Sequence, residues 1–223
     1  MSHYNQKPEK PTAELLLEIY HSLVGSYGQR HKWFGTTRDE IIVGAVLTQN
    51  TNWANVEKSL EELRHAGLLT LPAIAKQSPE QLAALIRPSG YHNQKASRLK
   101  TIAQSLLSGD MPEEPLQRRA YLLSLKGIGP ETADCILLYA DHLPFFVVDA
   151  YTLRIFSRLG LVPNNISYHD LQHWFSANLP KDVGLYQEFH ALIIQLAKSA
   201  CLSKPKCCQC LFSTLCPQSE ANS

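Results

Sequence analysis

Apolar residues recur along most of this chain at the three- and four-residue spacing of a helix that buries one face. Leu15, Leu16, Ile19, Tyr20 and Leu23 share one stripe, and Ile41, Ile42, Ala45 and Val46 share another. The second follows Thr36-Thr37-Arg38-Asp39-Glu40, whose hydroxyls and early acids read as a capped helix start. The same spacing predicts helices over 53–66, 78–86, 93–108, 116–125, 130–140, 150–159, 168–178 and 183–199. Short punctuation separates them, at Gly67, Pro79, Pro88-Ser89-Gly90, Gly109, Pro112, Gly127, Gly129, Pro144, Gly160 and Pro163. The reading is an all-α protein without a repeat period. Phe145-Phe146-Val147-Val148 is the one β-like run, too short and solitary to build a sheet.

Composition agrees: 223 residues that are 44% hydrophobic and 18% charged can bury a core, as one globular unit or two small lobes. A net charge of +1 makes no general case for a nucleic-acid binder. The charge is unevenly placed, however. Residues 87–131 carry +3, 132–197 carry −3 and 198–216 carry +3. Five of the six cysteines (Cys201, Cys207, Cys208, Cys210 and Cys216) crowd into sixteen residues, which suits a metal site better than a disulfide framework. Met1–Pro11 is polar, no long apolar run occurs, and a cytoplasmic, monomeric protein with frayed ends at 1–11 and 217–223 and no membrane partner is expected.

Between two helical stretches lies Leu125-Lys126-Gly127-Ile128-Gly129-Pro130. Two glycines around one apolar residue allow a tight turn, and Pro130 opens the next helix where a missing N–H costs least. Free amides at such a start, with Lys126 beside them, suit a DNA phosphate, whereas a bare G-x-G would be only a helix–turn–helix corner. Leu122 to Ala140 resembles the helix-hairpin-helix motif of the endonuclease III superfamily of base-excision DNA glycosylases. Val147-Val148-Asp149-Ala150-Tyr151, Val46-Leu47-Thr48-Gln49-Asn50-Thr51, Gly90 to Ala96 and the C-terminal cysteines match further segments of that superfamily, so the resemblance spans about 15–216.

The resemblance implies a two-lobed fold: a six-helix barrel lobe over 32–143 with the hairpin at about 116–140, and a second helical lobe made of 12–31 and 144–216. It implies that Asp149 is the carboxylate that stabilises the oxocarbenium-like state at C1′ or positions the attacking water, facing the cleft between the lobes. Read on its own, Asp149 is a helix N-cap, and the two roles are compatible. Bifunctional members carry a lysine two residues beyond the second glycine. Here Glu131 stands there, and a carboxylate cannot form an imine, so base removal without strand cleavage is implied. Glu131 by itself is a first-turn acid favoured by the helix dipole.

Gln49 maps onto the residue that fills the gap left by a flipped base, and Tyr91 or His92 onto the wedge in the opposite strand. Lys126, Gly127, Ile128, Gly129 and Lys95 stand as phosphate contacts; Asn93 and Lys95 read equally as a helix cap and a solvated charge. Among branches, the motifs look like 3-methyladenine DNA glycosylase III. Trp33, Phe34 and Trp53 then fall where that branch stacks an electron-poor alkylated purine, and otherwise they are core. Oxidised pyrimidines or mismatched thymine or uracil are the substrates of a second reading. A non-catalytic DNA-damage-binding protein is a third.

Cys201-x5-Cys207-x2-Cys210-x5-Cys216 resembles the superfamily's [4Fe–4S] loop, with Cys208 left as a spare thiol unless it replaces Cys207. Four thiols in one segment also suit tetrahedral zinc. The alkyladenine branch can lack the cluster, so the chain combines features of two branches. Lys204 and Lys206, inside the first cysteine gap, read as phosphate contacts, and His169 and His173 as a surface pair.

Overall fold

A computed structural model describes residues 12–29 and 35–219. Among them no strand occurs and no helix is long and apolar enough to cross a membrane. The described residues of Met1–His31 and Phe146–Ser223 form one compact unit, and those of Lys32–Phe145 form another.

The middle unit holds α2 (Arg38–Leu47), α3 (Trp53–His65), α4 (Leu71–Lys76), α5 (Pro79–Leu85), α6 (His92–Leu107), α7 (Pro115–Ser124) and α8 (Pro130–Cys135). Helix α2 is its central rod, buried without a break from Ile42 to Leu47 because α3, α6 and α8 surround it. Its expected cap is present: the Thr37 hydroxyl accepts from Glu40 N at 3.2 Å, while the Glu40 carboxylate accepts from Thr36 N and Oγ1.

Two features depart from the periodicity reading. Helix α4 was not expected; six residues are too few to show a stripe, yet Thr70 caps it, Pro72 sits in its first turn, and Leu71 and Ile74 are buried. The stretch 130–140 is not one α-helix, since it passes at Ile136 into a π-helical turn to Ala140.

The other unit holds α1 (Thr12–Tyr27), α9 (Ala150–Arg158), α10 (Tyr168–Asn178), α11 (Val183–Ser199) and the cysteine loop. Its core is aromatic. Phe146 stacks on Phe175 at 4.2 Å between ring centroids, and Phe156, Phe189 and Tyr186 meet these rings edge-on. The β-like run therefore serves as an extended core segment, with the Phe146 carbonyl accepting from Gln172 Nε2 at 3.1 Å. His169 and His173 lie on the surface. Pro217–Ser219, expected to fray, forms a turn with Ser219 N donating to Cys216 O at 2.9 Å; residues 1–11 and 220–223 lie outside the described residues.

Candidate functional site

In the middle unit, α7 ends at Ser124 and α8 begins at Pro130, and the hairpin lies between them. Ile128 anchors it, buried to 6% exposure, while Lys126 is exposed. The two glycines do different work. Gly127 has φ +98°, and a Cβ there would lie 2.5 Å from Arg98 Cδ, so both backbone and packing demand glycine. Gly129 is extended at φ −94°, and a Cβ there would meet nothing within 4 Å. The expectation that both serve the turn is thus corrected: Gly129 leaves open space in front of the first turn of α8. Glu131 is exposed in that turn.

Gln49, at the end of α2, braces the hairpin. Its Nε2 donates to Gly127 O at 2.9 Å and Thr132 Oγ1 at 3.0 Å, and its Oε1 accepts from Arg98 Nη1 at 3.0 Å. Tyr91, at the cap position of α6, is 67% exposed and left-handed at φ +46°, so it projects as a wedge would. His92 is half-buried, and Asn93 is exposed and caps nothing. Trp53 is half-buried in the first turn of α3. Trp33 and Phe34 lie outside the described residues.

Lys95 contradicts its expected role. It is 1% exposed, and its Nζ donates to Leu47 O at 2.8 Å and Ser89 O at 2.7 Å, so it cannot reach a phosphate. Its position on the buried face of α6, beside Ala96 and Leu99, directs the ammonium inward. Burial pushes its pKa down to about 8, with Arg98 adding to the effect.

In the other unit, Asp149 caps α9, its Oδ1 accepting from Thr152 N at 2.7 Å and Thr152 Oγ1 at 2.9 Å. Its Oδ2 lies 3.7 Å from Nε2 of His190, which is 2% exposed on α11; the Asp149 side chain is 13% exposed. Burial alone would raise the carboxyl pKa. His190 and the two Thr152 donors outweigh burial and hold it below the ordinary carboxylate value.

Cys201, Cys207, Cys210 and Cys216 line one cavity that contains about 310 Å³ of empty space, its solvent mouth included. Cys208 is exposed and does not line it. Among the described residues no group of three or more His, Cys, Asp or Glu is placed so as to hold a metal ion. The four thiols line the cavity without forming such a group. Burial and the neighbouring thiols push the Cys210 and Cys216 thiols up, the state a cationic core would reverse by binding thiolates. The loop is tied to α9: Arg158 Nη1 lies 3.3 Å from Cys201 Sγ and donates to Leu202 O at 2.6 Å, and Arg154 Nε donates to Cys201 O at 3.0 Å. Lys204 and Lys206 are exposed.

Residues 43–181 match the model of the HhH-GPD superfamily of base excision DNA repair proteins. The chain belongs to that superfamily. A Methanocaldococcus jannaschii protein named as a DNA repair glycosylase is 42% identical over 211 residues, 91% of this chain and 96% of the relative. Among solved structures, H. pylori 3-methyladenine DNA glycosylase bound to 1,N6-ethenoadenine is 32% identical, with a TM-score of 0.73 over 85% of this chain and 98% of its own. An endonuclease III–DNA complex shares the fold at 21% identity, with a TM-score of 0.81 over 95% and 98% of the two chains.

Within this HhH-GPD chain, sequence reasoning missed four arginines and two buried polar partners. Arg98 packs under Gly127 and holds Gln49; Arg154 and Arg158 hold the cysteine loop. Arg119 pairs with Asp134 through Nε at 2.6 Å and Nη2 at 3.0 Å, and Asp134 is 0% exposed. His190 faces Asp149. Its place among Phe189, Leu192 and Ile193 marks it as buried in the sequence, but nothing local names its partner.

Proposed function

We propose that this chain is a monofunctional DNA glycosylase that releases alkylated purines such as 3-methyladenine from duplex DNA. The observation that carries the chemistry is Asp149, a mostly buried carboxylate held as an anion and fixed by the helix it caps. As the glycosidic bond breaks, its electron pair leaves with the base and positive charge develops at C1′. Asp149 stabilises that charge and takes the proton of the water whose oxygen bonds to C1′. A cationic methylated purine departs as a neutral base, so no acid is needed at the leaving group. The 32% identity to the H. pylori 3-methyladenine enzyme supports this substrate class.

Glu131 stands where the family resemblance puts the lyase lysine, and it offers no amine to C1′. The hairpin, with Lys126 and the open approach at Gly129, takes a DNA phosphate; Tyr91 wedges the strand opposite the flipped base. Cys201, Cys207, Cys210 and Cys216, which line one cavity, would hold a [4Fe–4S] cluster, and the likeness of their spacing to the superfamily's cluster loop supports it over zinc. When bound, the cluster would cross-link the loop that presents Lys204 and Lys206 to phosphates.

The test is a panel of duplexes carrying single lesions (3-methyladenine, 1,N6-ethenoadenine, thymine glycol, mismatched thymine and uracil), read with and without alkali. Alkali-dependent breaks at the alkylated purines are expected. Breaks without alkali, or a borohydride-trapped adduct, overturn the monofunctional reading. Release of thymine glycol, thymine or uracil alone moves the substrate to pyrimidines. Tight binding without any release makes the chain a damage-binding protein.

A further inference from the structure

Asp149 Oδ1 is fully occupied by the Thr152 amide and hydroxyl, so the state of the carboxylate is decided at Oδ2, and Oδ2 faces His190. The 3.7 Å separation exceeds a normal hydrogen bond of about 2.7–3.2 Å. It leaves no room for a water between the two atoms, and a small rotation of the carboxylate closes it. Such tightening is common when a catalytic site takes up its substrate. Both residues belong to one unit, and the packing of α9 on α11 sets the contact.

A histidine is a costly choice at this position. Its neighbours on α11, Phe189, Leu192 and Ile193, are core residues, and an apolar side chain of similar size would pack without bringing a polar ring into the interior. Of the charged and titratable groups on the packed elements, Tyr186 of α11 is buried with its ring against Phe146, and five others are engaged as follows. Tyr20 of α1 donates to Glu188 of α11, Asp182 caps α11, and Arg154 and Arg158 of α9 hold the chain between Ala197 and Ser203.

We propose that His190 is a positioning residue for Asp149: its buried imidazole donates to Oδ2 and fixes the plane of the carboxylate until that carboxylate takes the proton of the attacking water. This rests on the reading of Asp149 given above. The proton that Asp149 accepts from water is then accepted by a carboxylate already oriented toward C1′, while His190 itself touches neither DNA nor water.

The test compares His190→Leu, which keeps bulk but has no donor, with His190→Gln, which keeps an N–H, and with Asp149→Asn. The titration of the Asp149 carboxyl is followed by 13C NMR, its resonance assigned by its loss in Asp149→Asn. In His190→Leu the midpoint moves up, because burial persists without its counterweight, and in His190→Gln it stays low. Single-turnover base release from duplex methylated to carry 3-methyladenine slows about tenfold or more in His190→Leu, with its acid limb moved upward and DNA affinity unchanged. His190→Gln recovers most of that rate. An Asp149 titration identical in all three histidine forms overturns the proposal. So does an equal loss of rate in both His190 variants that tracks a loss of thermal stability, because His190 would then be packing alone. Asp149→Asn separates the two levels. If it releases base at the wild-type rate, the reading of Asp149 itself fails; if it is inactive while His190→Leu is as fast as wild type, only the role of His190 fails.

Discussion

The ammonium of Lys95 donates to the carbonyl of Leu47 at 2.8 Å, tying α6 to the end of α2 two residues before Gln49. The same ammonium holds Ser89 O, two residues before the exposed Tyr91. Lys95 is therefore an internal strap under the wedge loop. Its folded-state pKa near 8 lies below the unfolded value of about 10.4, so between these limits the unfolded chain binds more protons and stability rises with pH. Urea unfolding of wild type and Lys95→Met from pH 7 to 10.5 should show the difference moving in favour of wild type above pH 8, by on the order of 1–3 kcal/mol. A flat difference would contradict the buried charge.

Salt dependence separates the strap from the DNA contacts. Removing one phosphate contact lowers the slope of log K against log salt by about 0.9. Lys126→Ala, and Lys204→Ala with Lys206→Ala, should each lose slope in anisotropy titrations with duplex DNA. Lys95→Met should keep the wild-type slope, since its Nζ is spent on two carbonyls.

Arg119 and Asp134 form a two-pronged pair whose carboxylate is 0% exposed. Arg119→Met removes the two-pronged partner of that buried charge and should cost about 3–5 kcal/mol in denaturant unfolding. A loss below about 1 kcal/mol, the worth of an exposed pair, would show that the pair is wet in solution.

Cys207 lines the thiol cavity and Cys208 does not. Cys208→Ser should purify brown, with iron and sulfide near wild-type content and absorbance near ~400 nm, whereas Cys207→Ser should lose both. A colourless wild-type protein containing zinc would remove the cluster from the proposal.

The depressed pKa of Asp149 fixes the sign of two pH effects. Its contribution to stability is present above the unfolded carboxylate value of about 3.9 and is lost as pH falls through the lower folded value. Its anion also persists through neutral pH, so single-turnover base release should not titrate with Asp149 between pH 5 and 8. A rate that halves above pH 5 with an acid limb absent from Asp149→Asn would contradict the anionic assignment.

Long, periodic elements were legible from the chain, and short or irregular ones were not. The stripes of α1, α6 and α11 follow directly from 3.6-residue spacing, and the Thr37 and Asp149 caps from residue type and place. Helix α4 is too short for periodicity, and the π turn at Ile136–Ala140 leaves no trace in a run apolar on every side. At the site, the hairpin, Asp149 and the cysteine loop were visible as local motifs. Lys95 misled because a lysine at a helix start reads as a solvated charge. Only the meeting of α2, α6 and the turn at Arg87–Ser89 makes two carbonyls available to it and turns it inward.

By itself, then, the sequence determined what depends on neighbours a few residues away: the helical spacing, the caps, the tight turn at Gly127 and the clustering of the cysteines. The tertiary structure decided every pairing across large separations. Gln49 meets Gly127 across 78 residues, His190 lies opposite Asp149, and Arg158 reaches Cys201 across 43. Side-chain direction and burial set these contacts, and both are properties of how helices pack rather than of any one segment. For that reason the candidate carboxylate could be named from the chain, while the groups that hold it as an anion appeared only in the fold.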